Sequence, residues 1–206
     1  MSADPLFADT LITEIQRRIR GRIAHERNNC NYLAWAVAQA GNGDHLEIGT
    51  MFGGSAILAA LVKKTNGLEG DVYCVDPLNG YYVKGPYPCM VDPTTHEPIT
   101  PDVVMENARE FGVEDRIHLI TEYSNPWPAA LEGHTFTSAY IDGDHWGVMP
   151  LWDWQHVAPI TSGLVVFDNY DYETPAVIEA CNIAAAAPGW KQELCEGMTF
   201  IVRRHE

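Results

Sequence analysis

The sequence is poor in positive charge, has no paired cysteines and contains no long apolar run, and each shortage closes off a class of protein. Its 206 residues carry 13 Lys and Arg against 28 Asp and Glu, a formal net charge of −15. Such a field repels phosphate backbones and argues against nucleic acid as a partner. The one concentration of base, Arg17, Arg18, Arg20 and Arg22, reads as the solvated face of an amphipathic helix. The five cysteines, Cys30, Cys74, Cys89, Cys181 and Cys195, are odd in number and form no Cys-x-x-Cys pair. They indicate neither a disulfide framework nor a zinc site, and reduced thiols in a cytoplasmic protein are expected. No stretch is apolar enough to cross a bilayer. Met1-Ser2-Ala3-Asp4-Pro5 also lacks the basic-then-apolar start of a secretory leader. Repeats and low-complexity tracts are missing as well. With 46% hydrophobic and 20% charged residues, the chain suits one globular domain over 1–206.

What is present is an ordered alternation. Ile12, Ile15, Ile19 and Ile23 recur at helical spacing and predict an amphipathic helix over 9–22. A second helix is expected over 31–40, stopped by Gly41. These N-terminal helices, within 1–43, suit a lid, a homo-oligomer contact or both. From 44 to 206 short apolar strands alternate with helices. The strands are expected at 45–49, 72–75, 117–121, 138–141 and 164–167, with a closing hairpin at 191–195 and 199–203. Thr100-Pro101 and Thr174-Pro175 each start a helix as cap followed by proline. The fold class is therefore α/β: a doubly wound, mostly parallel, seven-stranded Rossmann-like sheet with a C-terminal antiparallel hairpin. Ligands of such sheets bind at the carboxyl ends of the strands. Glu47, Asp76, Glu122, Ser124, Asp142, Asp144, Asp168 and Asn169 all stand at or just beyond those ends.

The first strand turns into its helix through Leu46-Glu47-Ile48-Gly49-Thr50-Met51-Phe52-Gly53-Gly54-Ser55. Glycines here let a backbone approach a ligand, and the helix N-terminus offers free N–H groups. The plainer reading, glycines that merely ease packing, accounts for neither carboxylate. The G-x-G-x-x-G spacing of a dinucleotide site is absent, and Glu47 would repel a pyrophosphate. It suits the ammonium of S-adenosylmethionine (SAM), with Asp76 accepting from the ribose hydroxyls and Ser55 donating to the methionine carboxylate. After the fourth strand comes Ile141-Asp142-Gly143-Asp144-His145-Trp146, and after the fifth Asp168-Asn169. Two carboxylates and an amide, with water and substrate oxygens, suit Mg²⁺ or another hard divalent cation. The alternative is that Asp142 only caps its own turn.

The run from Leu46 to Ala56 resembles the first motif of the class I SAM-dependent methyltransferases, in particular the cation-dependent O-methyltransferases of the catechol and caffeoyl-coenzyme A type. It is also similar to small bacterial methyltransferases carrying Ile-Asp-Gly-Asp-His. The resemblance implies cofactor contacts at Glu47, Gly49, Gly53, Ser55, Asp76 and Asp142, adenine contacts at Ser124 and Trp146, and a metal at Asp142, Asp168 and Asn169. The family's proton-accepting lysine falls here on His145, a departure. Histidine titrates near neutrality and needs no depressed pKa to act, while related sugar O-methyltransferases point to Asp144. The expected activity is metal-assisted O-methylation of a small phenol, catechol or sugar diol. A metal-independent methyltransferase and a cofactor-binding protein without turnover are the alternatives. Trp152 and Trp154 are expected to pack, Glu122 to be solvated, and His96 and His118 to bind no metal. Tyr81, Tyr82, Tyr87 and Met90 in the long 79–99 stretch suit an acceptor cover or a simple loop anchor.

Overall fold

The computed structural model describes residues 5–23, 27–80 and 91–205. Tyr81, Tyr82, Tyr87, Met90 and Cys89 lie outside them. The elements are α1 (Pro5–Arg18), α2 (Arg27–Ala40), β1 (Asp44–Ile48), α3 (Gly54–Thr65), β2 (Val72–Val75), α4 (Pro101–Glu110) and β3 (Ile117–Ile120), followed by β4 (Phe136–Ile141), α5 (Met149–Ile160), β5 (Thr161–Phe167), α6 (Pro175–Ala186), β6 (Trp190–Glu196) and β7 (Thr199–Arg204). They build one seven-stranded sheet in the order β3-β2-β1-β4-β5-β7-β6. The five central strands pair in parallel, and β7 joins β5 and β6 antiparallel. The predicted architecture is therefore the observed one.

Strand alternation sorts the core into two layers. Cys74, Tyr140, Leu164 and Val166 point toward α1–α4, and Leu46, Ile48, Ala139 and Val165 toward α5 and α6. Because helices cover both faces, the central strands are apolar on both sides, as parallel sheets require.

The first helix departs from expectation. It begins at Pro5 and ends at Arg18, four residues short of the predicted end, although Ile19 and Ile23 are still buried. Gly21 explains the stop: its φ of 91° is left-handed, and a β-carbon there would lie 2.5 Å from the Phe52 ring. The chain leaves the helix to pass tightly over Phe52. Only glycine tolerates both demands.

Arg17, Arg18 and Arg20 are exposed, as a solvated face requires, but the arginines are also ion-paired. Arg18 pairs with Glu110, Arg20 with Glu97 and Glu106, and Arg22 with Asp92. Asn107, itself 3% exposed, completes the attachment. Its Oδ1 accepts from the Arg20 N–H at 2.9 Å, and its Nδ2 donates to the carbonyls of Arg20 (3.0 Å) and Phe52 (2.9 Å).

β4 and β5 begin earlier than predicted, at Phe136 and Thr161, because their first turns of pairing carry polar residues and a register shift between Phe136 and Ser138. α6 stops at Ala186, two residues before Pro188, which disfavours helical backbone in the residue ahead of it. Thr100 caps α4 as expected, accepting from the Val103 N–H. Thr174 does not cap α6 that way, since its hydroxyl donates back to the Asn169 and Asp171 carbonyls. Among the described residues no helix is long and apolar enough to cross a membrane.

At the amino end of β1 two titratable groups are fully buried. The Lys63 ammonium donates to the Gly43 carbonyl at 2.6 Å, and His45 Nδ1 meets Ser138 Oγ at 2.8 Å. Burial, helped by the Lys63 charge, pushes the His45 pKa down to about 3, so this ring is neutral at every ordinary pH.

Candidate active site

A cavity of about 540 Å³ opens at the carboxyl ends of β1, β2, β4 and β5, within the range of roughly 300–1,000 Å³ usual for small-molecule sites. The loop after β1 forms its floor. Gly49 has a φ of 89°, and a β-carbon on it would stand 2.2 Å from the Asp142 carbonyl oxygen. The glycine is thus demanded first by the neighbouring loop, which crosses directly over it. Asp76 closes this floor from β2. Its Oδ2 accepts from the N–H groups of Thr50 (2.7 Å) and Met51 (2.9 Å), and its Oδ1 from the Leu78 N–H at 2.8 Å.

The cavity brings together most of the residues expected to line it: Gly49, Ser55, Asp76, Ser124, Asp142 and Trp146, expected to contact the cofactor, with Asp144, His145, Asp168 and Asn169. Two it does not. Glu47 is 0% exposed and sits in register beside Cys74 and Tyr140, on the side of the sheet covered by α1–α3. Strand alternation puts it on the face opposite Leu46 and Ile48. Gly53 is the residue before α3 and packs against Val104, where a β-carbon would come within 2.9 Å of Cγ1. Neither is among the residues lining the cavity.

Around Asp142 the arrangement is compact. His145 Nε2 lies 3.2 Å from Asp142 Oδ1. Burial pushes the imidazole pKa down, but the Asp142 hydrogen bond and the charges of Asp142, Asp168 and Asp144 together outweigh it and raise it above its ordinary value. Asp144 Oδ1 accepts from the Trp146 N–H at 3.0 Å and so closes its own turn. Trp146 remains 45% exposed at the mouth. Trp152 donates Nε1–H to the Ser124 carbonyl at 2.8 Å and fixes that wall, while Trp154 packs between Phe167 and Trp190. Glu122 is exposed. His118 pairs with Asp71 and stacks on Tyr73. Among the described residues no three of His, Cys, Asp and Glu gather as a metal-binding group.

Three contributors escaped the sequence reading. Arg22 reaches the cavity wall, held by Asp92, which is 0% exposed and accepts from Arg22 Nε and Nη2 and from Thr95. Asp153 lies fully buried on α5 beneath Gly143, and burial raises its pKa to about 6 against the pull of the Ser124 hydroxyl. Asn29 on α2 donates to Asp168 Oδ1 at 2.6 Å. Only proximity in sequence to a strand end marks a site residue from sequence, and none of these has it.

The loop pattern and the strand-end carboxylates meet in one cavity, and a family model described as a methyltransferase domain matches residues 46–170. The chain belongs to this methyltransferase family. No curated protein matches it in sequence. Solved structures similar to this methyltransferase include the O-methyltransferase from Bacillus cereus in complex with SAH (TM-score 0.67, 16% identity, 96% of this chain and 91% of that one). The O-methyltransferase NovP is similar at a TM-score of 0.71 and 15% identity, over 98% of this chain and all (100%) of that one. The O-methyltransferase TomG from Streptomyces achromogenes, involved in tomaymycin synthesis and in complex with SAM, follows at 0.64 and 14%, covering 97% and 90%. At these identities the likeness establishes a shared fold over 96–98% of the chain.

Proposed function

We propose that this methyltransferase acts as a single unit over residues 1–206, uses SAM, and transfers its methyl group to an oxygen of a small acceptor carrying vicinal oxygens. The observation that carries this reading is that Asp142, Asp168 and Asn169 line the same cavity as the Gly49–Ser55 loop and Asp76. The O-methyltransferases that share its fold, some in complex with SAM or SAH, support the donor and the acceptor atom.

Methyl transfer from a sulfonium to oxygen is an in-line displacement, so the protein's task is to align two reactants and to receive a proton. In this reading Ser55, in the first turn of α3, meets the methionine carboxylate near the helix N-terminus. Asp76 has its oxygens fixed by three backbone N–H groups, and it accepts from the ribose through its remaining lone pairs. Ser124 and Trp146 flank the adenine.

Asp142, Asp168 and the Asn169 amide offer only oxygen donors in a cavity rich in carboxylate, which fits a hard divalent cation that leaves positions for water and acceptor. When bound, such a cation would polarise the acceptor oxygens and lower the pKa of the hydroxyl. The proton then goes to His145, which already touches Asp142, or to Asp144 beside it. The acidic chain makes a nucleic-acid acceptor unfavourable, and its unbridged thiols Cys30, Cys74, Cys181 and Cys195 suit the reducing cytoplasm.

Calorimetry with SAM tests the donor, and absence of binding would end this reading. A panel of catechols and sugar diols, assayed with Mg²⁺ and with EDTA, tests the acceptor class and the cation; equal turnover in both favours a metal-independent enzyme. Replacing the true base should cost about 10²–10⁴-fold in kcat, so His145→Ala and Asp144→Asn are expected to differ sharply. Wild-type rates from both variants exclude both residues.

A further inference from the structure

The N-terminal helices fall outside the matched domain model at 46–170, yet one of them reaches the centre of the site. Asn29, in the first turns of α2, places Nδ2 2.6 Å from Asp168 Oδ1 across 139 positions of sequence. Both side chains are 3% exposed. A hydrogen bond between an amide and a carboxylate is among the stronger kinds when shielded from water. It also holds the carboxylate against rotation about its last single bond. The Asn29 side chain is itself confined: its Oδ1 is buried, about 4.0 Å from where a β-carbon on Gly197 would stand, at the tip of the β6–β7 hairpin. That tip is joined to the Asp168 loop, since the Tyr170 N–H donates to the Met198 carbonyl at 2.9 Å. Thr174 holds the adjoining Asn169 carbonyl through its hydroxyl.

We infer that Asn29 is a positioning residue for Asp168, so that α2 sets the direction in which this carboxylate is offered to a divalent cation in the cavity. The inference rests on the proposed cation-assisted chemistry. Partners one step behind a metal ligand fix its orientation, and removing one costs roughly 10–100-fold in metal affinity. A residue that served only to hold α2 down would leave cation affinity alone, or would weaken SAM binding and thermal stability together with it.

The test is the affinity of the full chain for Mn²⁺ in the presence of SAM, followed by calorimetry and by the paramagnetic resonance signal of the free ion. Asn29→Leu keeps the branched shape without a donor, Asn29→Ala removes the side chain, and Asn29→Ser restores a shorter donor. We expect Asn29→Leu and Asn29→Ala to bind Mn²⁺ roughly 10–100-fold more weakly, with Asn29→Ser recovering part of the loss and SAM affinity unchanged in all three. Wild-type Mn²⁺ affinity in whichever donor-free variant folds overturns the positioning role, as does a parallel loss of SAM affinity. If the wild-type chain binds SAM but no Mn²⁺, the cation reading falls and takes this inference with it. Failure to bind SAM at all instead strikes the methyltransferase reading before either.

Discussion

At the amino end of β1 the chain buries His45 and Lys63, and at the carboxyl end of the same sheet it gathers Asp142, Asp168 and His145 around a cavity. Both ends take charge or potential charge out of water, which costs free energy unless hydrogen bonds offset it. At the amino end the offset is internal: Lys63 is held by the Gly43 carbonyl, and His45 stays neutral against Ser138. At the carboxyl end the acids face a space large enough for a ligand, with His145 drawn toward protonation by them. Buried polarity alone therefore does not identify a site. What separates the two ends is whether the polar groups surround empty volume or one another.

The sharpest way to break this contrast is at Gly49, where the carboxyl end is tightest. Gly49→Ala places a methyl group against the Asp142 carbonyl in a left-handed conformation. It should cost about 2–4 kcal/mol through overpacking and backbone strain and abolish SAM binding. Urea denaturation and calorimetry read both, and normal SAM affinity would show that the loop contact is not part of the site. At the other end, Lys63→Ala leaves the Gly43 carbonyl without its donor and should cost about 1–3 kcal/mol, with SAM affinity unchanged.

Acidity separates the ends further. The His45 pKa falls to about 3 in the fold, so between about 6.5 and 3 the unfolded chain takes up a proton that the native one refuses, and stability drops as pH falls. Asp153 has the opposite sign: with a folded pKa near 6 against 3.8, the native chain gains stability as pH falls through that interval. Each contributes up to roughly 1.4 kcal/mol per pH unit, so in the wild type they largely cancel between pH 6 and 4. His45→Leu should leave a chain that resists acid better over this interval, and Asp153→Asn one that resists it worse. Denaturant midpoints at pH 4.5 and 6.5 that shift in the same direction for both variants would refute the assignment. The smallest effect expected is that of Ser138→Ala, about 1 kcal/mol for the lost His45 partner, again without change in SAM affinity.

Much of this was legible in the linear sequence, for definite reasons. The mostly parallel sheet with its closing hairpin follows from helix–strand alternation, and the strand-end residues from Gly49 to Asn169 are marked by their place after apolar runs. Glu47 and Gly53 belong to the same motif but lie outside the cavity lining, because a motif records spacing and not the direction in which each side chain turns. Arg22 and Asp92 are 70 positions apart and Asn29 and Asp168 are 139 apart. Partners at that separation leave no local pattern, and an asparagine in a helix or an arginine after one looks solvated until the fold folds it inward. The end of α1 was missed for a related cause: Gly21 stops the helix only because Phe52 arrives above it.

Asn107 uses one side chain as a stand-in for a strand, pairing with both the N–H and the carbonyl of Arg20. The Arg20 amide proton is therefore protected only while α4, the Phe52 loop and the N-terminal segment are assembled together. Its hydrogen-exchange rate is a gauge, readable at a single peak, of how often the segment that leads to Arg22 and Asn29 detaches from the rest of the molecule.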